Sequence, residues 1–213
     1  MKYWFTSDEH YGHISIIKFC NRPFTNTDDM REKLITNFNS RVKPGDITFH
    51  LGDMFWRKLQ VQDCFDILNR LNGKHYYING NHEEVFKRPD SFILSGCFES
   101  IQNVSMLKHE KKMIWMSHYS HRCWPKSHQG SYHVFGHTHG VMGDYRRSHD
   151  VGVDANNYAP VSFDELVTLM ESKGKLPPDE IEQDMINHPW PKEFDASVEK
   201  NYELLKGLND ASI

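Results

Sequence analysis

The sequence predicts an α/β domain, and three observations support this fold class. Short apolar runs rich in aromatic and β-branched residues alternate with stretches whose apolar residues recur at helical spacing. Five of these apolar runs are followed at once by a short polar motif. The composition, 38% hydrophobic and 25% charged, is ordinary for a globular protein.

The strands are predicted first, because each apolar run is too short for a buried helix. The runs that precede polar motifs are residues 3–5, 47–49, 76–78, 113–116 and 134–135. Residues 98–116 predict consecutive strands that turn near 109–112, and residues 150–154 predict a last strand.

The helices are predicted from apolar residues three and four positions apart. This spacing indicates one helix over residues 28–41 and another near residues 59–71. Ser162 followed by Glu165 has the spacing of a capping box, so a third helix is expected to begin there.

The chain length predicts a single main domain with an appendage. A domain over residues 1–173 is large enough for a sizeable core. Residues 174–213 predict a helical C-terminal extension packed on this domain, broken by proline pairs at 177–178 and around Trp190. Each helix there has one apolar stripe, so a dimer contact is the alternative to packing on the domain, and the protein is expected to be a monomer or a homodimer.

Charge and cysteine content indicate which binding partners and which cellular compartment to expect. Residues 174–213 hold nine acidic residues against four lysines, whereas the remainder is close to neutral, which argues against a nucleic-acid partner. No run approaches the roughly 18 apolar residues of a membrane span. The N-terminus shows no cationic and apolar leader, and the four cysteines lack metal or disulfide spacing, so we expect a cytoplasmic protein with reduced thiols.

The polar motifs carry the functional signal. They are Asp8-Glu9-His10, Gly52-Asp53, Gly80-Asn81-His82-Glu83, Ser117-His118 and Gly136-His137-Thr138-His139. Ligands gather at the carboxyl ends of strands in sheets flanked by helices, so one shared site is expected. Apart from His82, the motifs offer two carboxylates, one amide oxygen and four imidazoles, enough for two metal ions that share a carboxylate.

This order of motifs resembles the calcineurin-like metallophosphoesterase family, whose signature is D-x-H, G-D, G-N-H-D/E, H and G-H-x-H. The match runs from Asp8 to His139, and residues 6–24 and 124–140 are similar to small bacterial and phage members. The resemblance implies a four-layer α-β-β-α sandwich, in which two sheets lie between helices. It also implies that one metal is held by Asp8, His10, Asp53 and His139, and the other by Asp53, Asn81, His118 and His137.

The chemistry of these ligands agrees with that assignment. An aspartate can bridge two cations through its two oxygens, and imidazoles bind borderline metals without adding negative charge. We therefore expect two divalent transition-metal ions, manganese first, with iron, zinc, nickel or cobalt as alternatives.

The resemblance implies hydrolysis of a small phosphoester or nucleotide by in-line attack of a metal-bridging hydroxide on phosphorus, with Asp53 as the carboxylate that both metals share. His82 then occupies the position of a proton donor to the leaving group, with a supporting hydrogen bond as its alternative role. The protein-phosphatase continuation G-D-x-x-D-R-G is missing, because Trp56 stands where the second aspartate would. A phosphodiesterase is therefore favoured, with a phosphomonoesterase or phosphoprotein phosphatase, or a non-catalytic metal-binding scaffold, as the alternatives.

Substrate contacts are expected from the basic segment 119–133, which has no acidic residue. The candidate substrate-binding residues are Arg122, Trp124 and Lys126. The alternative is that the segment is a solvated loop in which Trp124 is buried. His13 is a further candidate, with packing of the first helix as the alternative. Arg57 falls at the position of a phosphate-clamping arginine, with a solvated arginine as the alternative.

Overall fold

The computed structural model describes residues 1–174 and places two β-sheets face to face. The nine strands are β1 Tyr3–Thr6, β2 Ile47–His50, β3 Lys74–Ile78, β4 Ser100–Gln102, β5 Val104–His109, β6 Lys112–Ser117, β7 Tyr132–Phe135, β8 Ser148–Asp150 and β9 Val161–Ser162. The five helices are α1 Ile14–Phe19, α2 Thr27–Arg41, α3 Val61–Arg70, α4 Phe92–Ser95 and α5 Phe163–Ser172. Short 3-10 helices cover Glu84–Lys87, Ser127–Gln129 and Val153–Ala155.

The first sheet has the order β4-β3-β2-β1-β9, in which β1 to β4 run parallel and β9 pairs antiparallel with β1. The second sheet has the order β5-β6-β7-β8, in which β6, β7 and β8 run parallel and β5 is antiparallel. The α/β class is therefore confirmed, and both sheets are rich in parallel strands. None of the described helices combines the length and apolar character that crossing a membrane requires.

Side chains alternate between the two faces of each strand, and the buried apolar residues therefore form two clusters. In β1, Trp4 faces the cluster built with α2 and α3, whereas Phe5 faces the cluster between the sheets. Side chains of Ile114 and Val134, from the second sheet, enter that same inter-sheet cluster. Successive residues of a strand point to opposite faces, so the first sheet is covered on both sides.

The face of the second sheet that is turned away from the inter-sheet core is its outer face, and the expected fourth layer over it stays a prediction. In the described part of the chain, the segment that follows β6 covers this face, where Trp124 packs 5.3 Å from His133 and His121 accepts a hydrogen bond from Trp115. The helix α5 instead contributes Phe163 and Leu166 to the edge of the inter-sheet core. The predicted extension over residues 174–213 lies, after Gly174, outside the described residues.

Most predicted elements are confirmed, but the predicted last strand is wrong at both ends, because β8 covers Ser148–Asp150, and a further strand, β9, follows it. The helices α2 and α3 match the two predicted from periodicity, and Ser162 and Glu165 form the predicted capping box at α5. The strand expected at residues 150–154 is β8, which ends at Asp150. It ends there because the Asp150 carboxylate accepts hydrogen bonds from the Gly152 amide at 2.7 Å and the Gly140 amide at 2.9 Å, which turn the chain away. None of the four cysteines forms a disulfide.

Candidate metal centre

The predicted ligands follow the carboxyl ends of parallel strands in both sheets, and the structure gathers them into two groups. One group contains Asp8, His10 and His139; the other contains Asp53, His118 and His137. Within each group the potential ligand atoms all lie within 4.8 Å of one another. The resemblance implies these two sets with Asp53 added to the first and Asn81 to the second, and that ligand assignment stays a prediction.

Asp53 lies between the two groups. Its Oδ2 is 3.8 Å from His10 Nε2 and 3.6 Å from His118 Nε2, and its side chain is almost fully buried. Its Oδ1 accepts a hydrogen bond from the main-chain amide of His82 at 2.9 Å. A single carboxylate oxygen, rather than both, therefore faces both groups of imidazoles.

The surroundings of His118 fit a cation. Its Nδ1 lies 2.7 Å from the carbonyl oxygen of Leu51, so in the neutral ring this nitrogen carries the proton and Nε2 carries a lone pair. That Nε2 lies 2.9 Å from Asn81 Oδ1 and near Asp53 Oδ2. Burial lowers the pKa of His118, which favours the neutral ring. Three electron-pair donors then converge with no proton between them, an arrangement that a metal ion would satisfy.

The first group contains buried polar atoms without partners. Both ring nitrogens of His10 and the Oδ1 of Asp8 have no hydrogen-bond partner among the described residues. Burial, followed by the neighbouring charge of His139, lowers the pKa of His10 to about 2. Leaving such a buried group unsatisfied costs about 1–3 kcal/mol. Metal coordination would remove this cost, so these residues also fit a bound cation.

His139 is oriented by a buried ion pair. Its Nδ1 donates to Asp154 Oδ2 at 2.7 Å, which leaves Nε2 with the lone pair. Asp154 also accepts two hydrogen bonds from Arg22, at 2.7 and 2.8 Å. Burial opposes ionisation of Asp154, but the hydrogen bonds from His139 and Arg22 lower its pKa below the ordinary value.

Arg22 also ties down the first ligand loop. Its guanidinium donates to the carbonyl oxygens of Asp8, at 2.7 Å, and Glu9, at 2.9 Å. Sequence reasoning missed both Arg22 and Asp154, because neither belongs to a motif. The only available signal was the resemblance over residues 6–24, which includes Arg22 without giving it a role.

Two further acids support the ligand loops from inside the motifs. Glu83 accepts hydrogen bonds from the amides of Asp53, at 2.9 Å, and Gly80, at 2.8 Å, and burial raises its pKa to about 7. Glu9 accepts from Thr6 Oγ1 at 3.2 Å and lies 3.2 Å from a nitrogen of His50. Each acid therefore holds a ligand loop without being a ligand itself.

Backbone strain is concentrated at the candidate ligands. Five of them have left-handed backbones, with φ of 60° at Asp8, 51° at His10, 54° at Asp53, 68° at His137 and 49° at His139. Such conformations cost on the order of 1–3 kcal/mol each outside glycine, although Asp and His tolerate them better than most residues. The cost is offset by main-chain hydrogen bonds that join the loops, such as the Asp8 amide to the carbonyl of Gly52 at 3.1 Å.

Glycine is required where these loops approach most closely. A Cβ at Gly136 would overlap Ser7 Oγ and Asp8 Oδ2. Gly52 has φ +93°, and a Cβ there would lie 2.6 Å from His118 Nδ1. The glycines of two motifs therefore allow the ligands to pack against the backbone.

His82 lies at the open side of the site. Its side chain is 38% exposed and its Nε2 is 4.0 Å from Asp53 Oδ2. Its ring is 5.7 Å from that of His10 and 6.1 Å from that of Trp56. It is therefore beside the ligands and accessible to solvent, as a proton donor would need to be.

His13 and Trp56 form one wall beside His82. Their rings are stacked 3.7 Å apart with planes 5° from parallel, and His13 lies 5.5 Å from His10. Burial lowers the pKa of His13 to about 4, so its ring is neutral at pH 7. The guanidinium of Arg57 lies 5.2 Å from the Trp56 ring rather than at a ligand.

Two of the expected substrate residues of segment 119–133, Trp124 and Lys126, lie away from the ligands. Trp124 is buried and donates its indole N–H to the carbonyl of Ser131 at 3.2 Å, so it is a packing residue, which was the alternative interpretation. Lys126 lines a cavity of about 340 Å³ with Lys112, where β6 begins, at the opposite end of the strands from the ligands. Arg122 lies 5.8 Å from the ring of Tyr145. Position in the sequence misled here, because a loop between two ligands can extend to the far edge of the sheet.

Comparison with known proteins shows the family to which the chain belongs. An archaeal protein, the uncharacterized protein MJ1445 of Methanocaldococcus jannaschii, is 34% identical over 176 residues, which are 82% of this chain and 94% of that protein. The chain belongs to the family of MJ1445. No family model matches it.

Two solved structures are similar. The protein of unknown function AQ665 from Aquifex aeolicus is 26% identical with a TM-score of 0.62, over 79% of this chain and 98% of that chain. Yfce, a phosphoesterase from E. coli, is 17% identical with a TM-score of 0.40, over 71% of this chain and 78% of that chain. The first likeness indicates a shared fold, whereas the second is too low to support an inference.

Proposed function

We propose that this protein is a metal-dependent phosphoester hydrolase of the calcineurin-like type, with two divalent ions that share Asp53. The observation that carries the proposal is the position of Asp53 Oδ2 between two groups of ligands, at 3.8 Å from His10 and 3.6 Å from His118. The resemblance of the five motifs to the metallophosphoesterase signature supports the same reaction.

Each of the two groups of residues would hold one ion. Asp8, His10 and His139 would bind one ion, and Asn81, His118 and His137 the other, with Asp53 common to both. Two carboxylates leave a pair of divalent ions with a formal charge of about +2, which suits an anionic phosphate ester. Bound ions would neutralise phosphate oxygens and make water a nucleophile near neutral pH. The nitrogen-rich donor set favours manganese, iron, zinc, nickel or cobalt over magnesium or calcium.

The chain itself supplies the proton and the positioning. His82 is the donor to the departing oxygen, because it is the imidazole beside Asp53 that remains exposed and belongs to neither ligand group. Its main-chain amide is held by Asp53 Oδ1, so the donor and the shared carboxylate are fixed to each other. Trp56, 6.1 Å from His82, stands at the sequence position where the protein-phosphatase branch has the aspartate that orients this histidine.

A phosphodiester is the preferred substrate class. Arg22, the arginine in contact with the ligand loops, is bound by Asp154 and two carbonyl oxygens. Arg57 lies against Trp56. The carboxylate of Asp154 neutralises Arg22, so Arg22 adds no net charge for the second negative charge of a monoester. A diester carries a single negative charge and needs no such clamp.

The test combines metal analysis with two esters of the same leaving group. Purified protein should contain up to two transition-metal ions per chain and should hydrolyse bis-p-nitrophenyl phosphate faster than p-nitrophenyl phosphate. Asp53→Asn should lose metal from one or both sites and lose hydrolysis while its circular dichroism is retained. Asp90→Asn, on an exposed loop, is the matched control and should keep metal and activity.

Three outcomes separate the alternatives. Full activity of metal-stripped protein in excess chelator would overturn the proposal. Faster hydrolysis of the monoester would indicate a phosphomonoesterase. Bound metal without hydrolysis of either ester would indicate a metal-binding scaffold.

A further inference from the structure

Tyr119 occupies an unusual place beside the candidate metal centre. It follows His118 directly, and its ring lies 5.1 Å from the ring of His118 and 4.6 Å from that of His137. Both contacts are close to perpendicular, at 70° and 64°. The aromatic ring is therefore held in place by two imidazoles of one ligand group.

About half of the surface of Tyr119 is nevertheless exposed to solvent. Tyr119 is 50% exposed, although its large aromatic ring contacts the buried His118. Leaving an aromatic surface of this size in water forgoes the free energy that its burial would supply. An aromatic ring that is fixed on one side and open on the other is suited to stacking on a planar ligand.

Two exposed apolar residues follow the ligand loop of His139. Val141 and Met142 follow His139 by two and three residues, and they are 90% and 44% exposed. Exposed apolar side chains that stand together beside a polar site are a feature of ligand-binding surfaces. An exposed aromatic ring beside the ligands, with exposed apolar residues near them in the sequence, suits an uncharged, planar part of a substrate rather than a second phosphate.

We propose that Tyr119 is a stacking platform for a nucleobase, so that the substrate is a phosphodiester with a nucleoside on one side of the phosphorus. The proposal rests on the phosphodiesterase function proposed above. Stacking on an aromatic side chain accepts any base, because every base has a π face. Tyr119 is then a specificity-determining residue, and substrates with a nucleoside are preferred over those with a small alkyl group.

Two esters with the same leaving group and the same charge test this directly. Thymidine 5′-(p-nitrophenyl phosphate) and methyl p-nitrophenyl phosphate both release p-nitrophenolate and differ only in the nucleoside. The quantity measured is the ratio of their kcat/KM values within each variant, which cancels any change in metal content or in the folded fraction.

The expected result is a preference of the wild type for the nucleoside ester. Tyr119→Ala should reduce the ratio by roughly 5- to 150-fold, the range that base stacking on an aromatic side chain supplies. Tyr119→Phe should keep the ratio, because it retains the ring. Phe92→Ala, which removes an aromatic side chain that is 73% exposed in α4, is the matched control and should also keep the ratio.

A binding measurement makes the result independent of turnover. Calorimetry should show that the wild type binds thymidine 5′-monophosphate more tightly than inorganic phosphate, and that Tyr119→Ala abolishes this advantage. If neither ester is hydrolysed, the proposed function fails, whereas the calorimetric comparison still decides the role of Tyr119. The stacking proposal is overturned if the wild type shows no preference, if Tyr119→Ala keeps the preference, or if Tyr119→Phe loses as much as Tyr119→Ala, which would indicate a contact through the hydroxyl.

Discussion

Replacement of Asp154 by asparagine should weaken the metal site through His139. The carboxylate accepts a hydrogen bond from His139 Nδ1 at 2.7 Å and two from Arg22. Asparagine has one acceptor oxygen, so its NH₂ group must face a donor of either His139 or Arg22. Whichever way the amide turns, Arg22 loses a hydrogen bond and His139 loses its charged acceptor.

The magnitude follows from two separate effects. Loss of the partner that orients a ligating histidine costs about 10- to 100-fold in metal affinity, which is about 1.4–2.7 kcal/mol. Removal of one charge from a buried ion pair costs about 3–5 kcal/mol of stability. Arg22 and Asp154 are buried as a pair, with 0% and 4% of their side chains exposed, so a substantial loss of stability is also expected.

The assay is calorimetric titration of metal-stripped protein with manganese or zinc, with thermal unfolding measured in parallel. Asp144→Asn is the matched control, because Asp144 pairs with His149 at 3.2 Å and Lys173 at 2.6 Å rather than with a candidate ligand. The control should keep the affinity for metal. Wild-type affinity for both ions in folded Asp154→Asn protein would refute the argument that this carboxylate orients His139.

Three further predictions concern other parts of the molecule. Gly136→Ala should lower the free energy of unfolding in urea by about 1–3 kcal/mol and reduce the amount of bound metal, because the added Cβ would overlap Asp8 Oδ2. Unchanged metal content would contradict the close packing of Gly136 against Asp8. His82→Ala should keep its metals but lose turnover by roughly 10²–10⁴-fold, and the loss should be smaller for esters with good leaving groups, since equal losses would indicate a structural role. Burial alone would raise the pKa of Glu165, but hydrogen bonds from Arg41 and from Ser162 at the helix cap lower it to about 2. The contribution of Glu165 to stability is therefore present above about pH 4.5 and is lost as the pH falls towards 2. Because the pair is half-exposed, the effect should stay below about 1 kcal/mol, and Glu165→Gln should show a shallower fall in urea-unfolding free energy over this pH range than the wild type.

The sequence by itself determined the elements and the residue types of the site. Apolar runs located β1, β2, β3, β6 and β7, and helical spacing located α2 and α3, since these patterns depend only on which face of each element is buried. The motifs located Asp8, Asp53, His118 and the other candidate ligands, because each comes directly after a strand end and parallel strands bring their ends together.

Only the tertiary structure decided how those residues meet. The Arg22–Asp154 pair joins residues 132 positions apart, and no local pattern encodes such a contact. The structure also decided that a single oxygen of Asp53 faces both groups, because the main-chain amide of His82 takes the other oxygen. Likewise, Lys126 lies at the far end of the sheet although it stands between two ligands in the sequence. Sequence proximity constrains a side chain only within the reach of its own turn or helix, whereas the path of a loop depends on the surface against which it packs.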